Sequence, residues 1–256
     1  MNFCSDNVTG VAPEILAAVE RANTGPAAAY GDDELSVRVT KKIADVFERE
    51  ADVFLVTTGT AANSLSLSVM TPPYGEIFCH PEAHIQVDEC GAPEFFTGGA
   101  KLTHLASDDG KIHAADLGEV LSAPDHGVHH VQAAAVSFAQ ASEAGTVYGL
   151  DEVREISDIA HEHGLKVHMD GARFANALVS LGCSAAEASW KAGVDILCFG
   201  ASKNGALAAE AVVIFDKAMA ETFAFRRKRG GHLISKMRFL AAQFDAYLED
   251  DLWLKL

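Results

Sequence analysis

Apolar residues occur along this chain in two patterns, short continuous runs and stretches with helical spacing. The short runs, which are typical of buried strands, lie at 53–57, 131–138, 165–169, 194–199 and 211–215. The helical stretches between them include 35–49, 60–70, 151–163 and 173–181. Strands that alternate with helices predict an α/β domain with a mostly parallel sheet sandwiched by helices. Ligands of such domains bind beyond the carboxyl ends of the strands, so the residues that follow each strand are candidates for chemistry.

The stretch 233–256 has a different pattern, because its helical spacing continues to Leu256 without Gly, Asn or Pro to end it. We expect a single helix with partly exposed apolar side chains, namely Phe239, Phe244, Tyr247, Leu252, Trp253 and Leu254. Such a face normally packs on a partner or a further domain. The predicted organisation is therefore an N-terminal segment (1–25), a large domain (26–232) and a helix (233–256) leading into a truncated C-terminal domain.

Composition and charge exclude several classes of protein. The 256 residues are 49% hydrophobic and 22% charged, which is too apolar for a disordered chain. A formal net charge of −16 repels phosphate backbones and anionic lipids, so we expect neither nucleic acid nor a membrane as a partner. No apolar run reaches the roughly 18 residues that span a bilayer. The first ten residues lack the basic start and apolar stretch of a signal peptide.

The five cysteines are scattered and contain no CxxC pair. This spacing argues against a disulfide framework and against a zinc cage, so we predict no metal site. The same usage is typical of a reducing compartment, and we expect a cytoplasmic protein.

The first candidate for chemistry is the turn after the strand 53–57. Thr58, Gly59 and Thr60 open a helix, whose free N–H groups and positive dipole end can hold a phosphate. An ordinary helix cap at Thr58 or Thr60 is the alternative. The chain has neither GxGxxG nor GxxxxGK[ST], so a dinucleotide or a nucleoside triphosphate is not indicated.

Two further strands end in residues that suit a pyridine-ring cofactor. Asp170 follows 165–169, and its carboxylate needs a positive partner, either a protonated ring nitrogen or Arg173. Lys203 follows 194–199, where an amine partly withdrawn from water is a nucleophile for an aldehyde, unless it is a solvated loop lysine. A phosphate cup, an aspartate and a lysine on successive strand ends indicate a pyridoxal phosphate (PLP) site of the aspartate aminotransferase fold type.

The chain also resembles a known family, the low-specificity L-threonine aldolases and their phenylserine aldolase relatives. The matching segments run through most of its length: SDNVTG (5–10), AYGDD (29–33), TTGTAAN (57–63), AHIQVDECGAPEFF (83–96), HMDGARF (168–174) and WKAGVDILCFGASKNG (190–205). The resemblance implies the large domain of a fold-type-I PLP-dependent transferase, without the family's small C-terminal domain. It further implies retro-aldol cleavage of L-threonine, L-allo-threonine or another β-hydroxy-α-amino acid such as phenylserine to glycine and an aldehyde.

Three alternatives to this function stay open. The first two are other fold-type-I PLP enzymes, a β-eliminating lyase or an aminotransferase. The third is a catalytically silent PLP-binding protein. Ammonia and a keto acid among the products would indicate elimination, whereas glycine and an aldehyde would indicate aldol cleavage.

The resemblance assigns the cofactor to particular residues. PLP is expected to form a Schiff base with Lys203, to pair through its ring nitrogen with Asp170 and to bind by its phosphate at Gly59 and Thr60. His84 is expected to stack on the ring and to move a proton, so the catalytic residues are His84, Asp170 and Lys203.

The resemblance also assigns the substrate carboxylate to Arg173, whose guanidinium binds a carboxylate as a fork, and to Ser5. Tyr30 resembles a tyrosine that reaches the neighbouring site in a homodimer or homotetramer with shared active sites. A turn serine and an ordinary core or surface tyrosine are the alternatives for Ser5 and Tyr30. Gln140 and Arg173 complete the expected cofactor contacts.

The chain departs from the family where many members carry an Asn-Thr-His run whose histidine touches the substrate hydroxyl. Here the residues are QASEAG (140–145), and this histidine is absent. We therefore expect Glu143 or His84 to take the β-hydroxyl proton, with Glu143 in contact with the substrate.

Overall fold

The computed structural model describes residues 4–124 and 126–256 and contains one seven-stranded sheet within that part of the chain. The strands are β1 (Asp52–Val56), β2 (Gly75–Cys79), β3 (Lys101–His104), β4 (Gln132–Ala139), β5 (Lys166–Gly171), β6 (Ile196–Gly200) and β7 (Glu210–Ile214). Their order across the sheet is β1-β7-β6-β5-β4-β2-β3. The predicted α/β class is confirmed.

Helices cover the sheet. They are α1 (Pro13–Ala22), α2 (Glu34–Val46), α3 (Gly59–Met70), α4 (His84–Val87), α5 (Ala92–Thr97), α6 (Ala114–Leu121), α7 (Leu150–Glu162), α8 (Phe174–Leu181), α9 (Ala220–Arg229), α10 (Arg238–Tyr247) and α11 (Leu252–Lys255). Among the described helices, none is long and apolar enough to cross a membrane.

The sheet is buried on both faces. Along β7, Ala211 and Val213 belong to one apolar cluster, whereas Val212 and Ile214 belong to a second one. Alternate residues of a strand point to opposite faces, so each cluster packs on one side of the sheet. This double burial explains why the strands appear in the sequence as continuous apolar runs.

Strand direction brings the expected site residues to one edge. β2, β3, β4, β5 and β6 run parallel, and β7 runs antiparallel to both β6 and β1. β1 therefore points the same way as β6. The carboxyl ends of β1, β5 and β6 and the amino end of β7 consequently share one edge of the sheet.

The expected single helix over 233–256 is wrong. Helix α10 ends at Tyr247, and Asp250 and Asp251 have positive φ angles of 48° and 55°, which turn the chain before α11 begins. The left-handed conformation has no signature in the hydrophobic pattern, because aspartate is one of the residues that tolerate it without glycine.

Three of the six residues expected to be partly exposed lie in the core instead, whereas Phe239, Leu252 and Leu254 are partly exposed as expected. Phe244 and Tyr247 are 0% exposed and Trp253 is 5% exposed. All three contact the ring of Phe199 in β6, with centroid distances of 5.8, 6.0 and 5.4 Å. The segment therefore packs on the strand that leads to Lys203.

Candidate active site

A cavity of about 300 Å³ lies at the shared strand edge. Five residues predicted from the sequence line it: Gly59, Thr60, His84, Asp170 and Lys203. Other polar residues of its wall are Asn7, Thr57, Thr58, Asn63, Ser202 and Glu210. The cavity thus brings together the phosphate cup, the aspartate and the lysine that the sequence places on three separate strand ends.

The amino end of α3 has two unused donors. Thr58 has extended backbone angles, and its side-chain oxygen accepts the N–H of Ala61 at 3.1 Å. Within the described residues the N–H groups of Gly59 and Thr60 have no hydrogen-bond partner. The turn is therefore compatible with both interpretations, a helix cap and a phosphate site. Thr58 is the cap, and the N–H groups of Gly59 and Thr60 remain for an anion.

Asp170 is 9% exposed at the end of β5. Its Oδ2 accepts from Asn63 Nδ2 at 2.7 Å, and its Oδ1 accepts the N–H of Ala172 at 2.9 Å. The alternative salt bridge to Arg173 is not formed, because Arg173 Nε donates to Asp6 Oδ2 at 2.7 Å. The buried carboxylate of Asp170 is therefore held by neutral donors, and no cation of residues 4–124 or 126–256 is paired with it.

His84 is the first residue of α4 and is tied to a buried glutamate. Its Nδ1 lies 2.8 Å from Glu89 Oε1, and Glu89 is 3% exposed. The same Glu89 oxygen accepts from Asn63 Nδ2 at 2.8 Å. The hydrogen bond to Glu89 raises the pKa of His84, and burial raises the pKa of Glu89.

Lys203 lies in the turn after β6, half-buried, and has no hydrogen bond or ion pair with any of the residues that the structure describes. Glu210 faces the same cavity from β7 and is 6% exposed. Burial raises the pKa of Glu210 to about 7, and the neighbouring Ser202 partly opposes this rise. A Cβ at Gly200 would lie 2.9 Å from Glu210 Oε2, so glycine at this position leaves room for the carboxylate.

The residues expected at the substrate carboxylate are not gathered in the cavity. The Arg173 side chain is 36% exposed and paired with Asp6. Ser5 caps a short 3₁₀ turn, where its oxygen accepts the N–H of Asn7 at 3.2 Å. Tyr30 is 47% exposed and lies under the Lys228 ammonium, 4.5 Å from the ring centroid.

Gln140 and Glu143 lie in the loop after β4, outside the cavity wall. The Gln140 side chain is 0% exposed and makes two hydrogen bonds with the backbone of Tyr148. Its Nε2 donates to the Tyr148 carbonyl at 2.9 Å, and its Oε1 accepts the Tyr148 N–H at 3.0 Å. Glu143 Oε1 accepts the backbone N–H of His84 at 2.8 Å. Both side chains therefore support the loop and the start of α4, and neither is among the residues that line the cavity.

A buried histidine–cysteine pair lies next to Asp170. His168 Nε2 is 3.2 Å from Cys198 Sγ, and its Nδ1 is 2.8 Å from Ser137 Oγ. Burial lowers the pKa of His168 to about 4 and raises the pKa of Cys198. The imidazole is therefore neutral at physiological pH and adds no positive charge beside Asp170.

Among the polar residues of this site that sequence reasoning missed are Asn63, Glu89 and Glu210. Asn63 and Glu89 fall inside the matching segments TTGTAAN and AHIQVDECGAPEFF. Asn63 carried a signal because it is a polar residue in the mostly buried helix α3, where polar groups require partners, whereas Glu89 lies in the turn between α4 and α5 and carried none. Glu210, which stands directly before the apolar run 211–215, carried the same signal as Asn63.

The residues present fit PLP. Two N–H donors are free at the amino end of α3, an uncompensated carboxylate lies at Asp170, and the amine of Lys203 is unpaired among the described residues. The buried Oδ1 of Asn63 also has no partner in the described structure. These groups match the phosphate, the protonated ring nitrogen and the aldehyde of PLP, and the fold and site together define a fold-type-I PLP-dependent enzyme.

Comparison with known proteins agrees with this class. The chain belongs to the beta-eliminating lyase family, whose model matches residues 2–254. The low specificity L-threonine aldolase of a Pseudomonas species is 47% identical over 254 residues, which are 99% of this chain and 73% of that protein. The resemblance drawn from the motifs is confirmed.

Solved structures show the same relationship. The threonine aldolase of Leishmania major superposes with a TM-score of 0.92 at 30% identity, over 98% of this chain and 73% of that chain. Cystalysin from Treponema denticola, whose crystal structure contains PLP, is 14% identical with a TM-score of 0.69, covering 96% of this chain and 66% of that one. At that identity cystalysin shares the fold alone.

Proposed function

We propose that this protein uses PLP to cleave L-threonine, L-allo-threonine or a related β-hydroxy-α-amino acid such as phenylserine to glycine and an aldehyde. The observation that carries the proposal is the meeting of Lys203, Asp170, His84 and the α3 amino end in one cavity. The 47% identity to an L-threonine aldolase supports this reaction among those of the fold.

Each part of the cofactor has a counterpart in this chain. Lys203 would hold the aldehyde carbon, Asp170 the ring nitrogen, and the N–H groups of Gly59 and Thr60 the phosphate. His84 would lie against the ring. When bound, PLP supplies the electron sink that breaking a carbon–carbon bond requires, and Asp170 keeps the ring nitrogen protonated.

His84 is the group that we assign to the β-hydroxyl proton. It lines the cavity, whereas Glu143 does not and is occupied by the His84 backbone N–H. A neutral imidazole whose Nδ1 donates to Glu89 keeps Nε2 as an acceptor. Nε2 would accept the β-hydroxyl proton as the Cα–Cβ bond breaks and the aldehyde leaves, and one proton delivered to Cα would give glycine, so that the site returns the proton it took and none is consumed overall.

The substrate carboxylate is assigned to Arg173, with Ser5 as a second donor. Arg173 is bound to Asp6, so it exchanges one carboxylate for another when the substrate enters. Both partners are substantially exposed, at 36% and 48%, and a solvent-exposed ion pair is worth only about 0–1 kcal/mol. This exchange is therefore inexpensive in free energy.

We also propose a cytoplasmic homodimer or homotetramer in which Tyr30 completes the site of a neighbouring subunit. Tyr30 supports this assignment because it is an exposed aromatic residue with a positive φ of 63°, held by Lys228 above its ring. Such a conformation is uncommon for a bulky residue and presents the phenol outward.

The test is product analysis on purified protein supplied with PLP. Glycine and the matching aldehyde are expected from L-threonine, L-allo-threonine and phenylserine. Borohydride reduction followed by peptide mass spectrometry is expected to find PLP on Lys203. The Lys203→Ala variant should lose both signals, while Lys41→Ala, whose side chain is 75% exposed on α2, should retain them.

Three results would contradict the proposal. Ammonia and a keto acid as products would identify a β-eliminating lyase, and amino transfer to a keto acid would identify an aminotransferase. PLP bound to Lys203 without turnover of any substrate would identify a silent cofactor-binding protein.

A further inference from the structure

Glu89 is 3% exposed, and its carboxylate lies beside the candidate site. Glu89 lies between α4 and α5, and a buried carboxylate is costly unless donors surround it. Three donors do so: His84 Nδ1 at 2.8 Å, Asn63 Nδ2 at 2.8 Å and Ser64 Oγ at 3.4 Å. The shorter two bonds end on the same oxygen, Oε1.

This arrangement determines which nitrogen of His84 carries the proton. An ionised carboxylate only accepts, and Glu89 Oε1 already accepts from Asn63, so His84 Nδ1 must be the donor. In the neutral imidazole the other nitrogen, Nε2, is then an acceptor without a proton. Because His84 lines the cavity, a residue of the cavity wall carries this Nε2 acceptor.

Asn63 connects this pair to Asp170. Its Nδ2 donates to Glu89 Oε1 at 2.8 Å and to Asp170 Oδ2 at 2.7 Å. A flipped amide would place Oδ1 against two carboxylates, so the orientation of Asn63 is determined by its partners. One atom from each of His84, Glu89 and Asp170 lies within 4.8 Å of the other two, which brings two like charges close together. The amide of Asn63 lies between these charges.

We infer that Glu89 and Asn63 are positioning residues, which hold the His84 proton on Nδ1 and keep the Asp170 and Glu89 carboxylates in fixed orientations. Glu89 acts on His84 as a carboxylate acts on the imidazole of a hydrolase triad, by selecting its tautomer and stabilising its cation. The inference deepens the proposed function and rests on it for the catalytic role of His84.

The charged groups around His84 come from four elements. Glu89 lies between α4 and α5, Glu143 follows β4, Asp170 ends β5 and Lys203 follows β6. The hydrogen bond to Glu89 is the largest influence that raises the pKa of His84, and Asp170 adds to it, whereas burial and Lys203 lower the pKa. Removal of the Glu89 charge therefore lowers the His84 pKa.

The test begins with cofactor-free, ¹⁵N-labelled protein, so its first readout does not depend on activity. Long-range ¹H–¹⁵N spectra report the tautomer and pKa of each imidazole, and a His84→Asn variant identifies the His84 signals. Wild type should show the Nδ1–H tautomer when neutral. Glu89→Gln should keep this tautomer, because the amide oxygen can replace Oε1, but should lower the His84 pKa. Glu89→Leu should lose the tautomer preference.

The second readout is the pH profile of the PLP-loaded enzyme. In Glu89→Gln the acidic limb of kcat/KM should move to lower pH, and in Glu89→Leu kcat should fall by roughly 10²-fold, within the range of general base catalysis. Asn63→Ala should weaken PLP retention and lower kcat together, because Asp170 and Glu89 share this amide. The matched control is Asp88→Asn, which removes an exposed neighbouring carboxylate and should change neither readout.

An Nε2–H tautomer in wild type, or an unchanged His84 pKa in Glu89→Gln, would overturn the inference. Failure of the proposed function looks different. In that case the spectra show the Nδ1–H tautomer and the pKa shift, while no substrate yields glycine.

Discussion

The two sides of the candidate site are built differently. On the wall formed by α3, α4 and β5, the side chains of Asp170, Asn63 and Glu89 are at most 9% exposed and joined by bonds of 2.7–2.8 Å. On the side of the N-terminal segment, outside the cavity lining, the side chains of Arg173 and Asp6 are 36% and 48% exposed. The buried groups are held in place before any ligand binds. Arg173, in contrast, must exchange Asp6 for the substrate carboxylate. The rigid side therefore carries the residues assigned to the cofactor, and the adaptable side carries those assigned to the substrate carboxylate.

The largest effect is expected from breaking the preorganised wall at Asp170. In Asp170→Asn the neutral amide cannot hold the ring nitrogen protonated, so the barrier to cleavage should rise by about 2–4 kcal/mol, by analogy with loss of one preorganised electrostatic partner. The measurement is kcat with saturating PLP and L-threonine. Asp158→Asn on the exposed face of α7 is the control, and turnover near the wild-type value in Asp170→Asn would remove the argument for an electron sink.

A smaller effect is expected at Glu210, a buried carboxylate on β7 that faces the same cavity and has no cation paired with it among the described residues. Its pKa in the folded protein is about 7, above the ordinary 4.5, so folding favours the protonated form. The stability that this group contributes is complete below about pH 4.5 and is lost as pH rises through about 7. Between pH 5 and 8.5, the free energy of unfolding of the cofactor-free wild type should therefore fall by on the order of 2–3 kcal/mol more than that of Glu210→Gln.

Urea unfolding at both pH values measures this difference. Glu155→Gln, on the exposed face of α7, should follow wild type. Parallel stability curves for wild type and Glu210→Gln would show that Glu210 is ionised in the fold at neutral pH.

The smallest effect is expected on the exposed side, at Asp6. If Asp6 competes with the substrate for Arg173, Asp6→Asn should lower KM by up to about fivefold without changing kcat, since an exposed ion pair is worth about 0.2–1 kcal/mol. Glu14→Gln in the first turn of α1 is the control. A higher KM in Asp6→Asn would mean that Asp6 orients Arg173 for the substrate and does not compete with it.

Five of the seven strands could be predicted because they are apolar runs buried on both faces. β2 and β3 were missed, since GEIFC and KLTH include polar residues and are short. Asp170 and Lys203 could be predicted because each directly follows a buried strand, and strand direction alone brings them to one edge.

The partners of these residues could not be predicted, because they depend on distant parts of the chain. Asn63 and Asp170 are 107 residues apart, and Arg173 and Asp6 are 167 apart. A pattern of local spacing contains no information on such contacts. The same limit explains the error over 233–256, where the chain turns at two aspartates with positive φ and Phe244, Tyr247 and Trp253 are buried although the pattern predicted them to be partly exposed.

The packing of α11 has a consequence for how the protein matures. Asn204, next to Lys203, donates to Tyr247 Oη and to the carbonyl of Trp253, both at 2.8 Å, and Trp253 lies 49 residues further along the chain. A ribosome therefore releases the lysine turn well before it releases the groups that hold this turn in place. Contacts of such long sequence separation form late, after the intervening chain has been ordered. We therefore expect the lysine turn to reach its final geometry, and with it the capacity to hold the cofactor, only when α11 is available to pack.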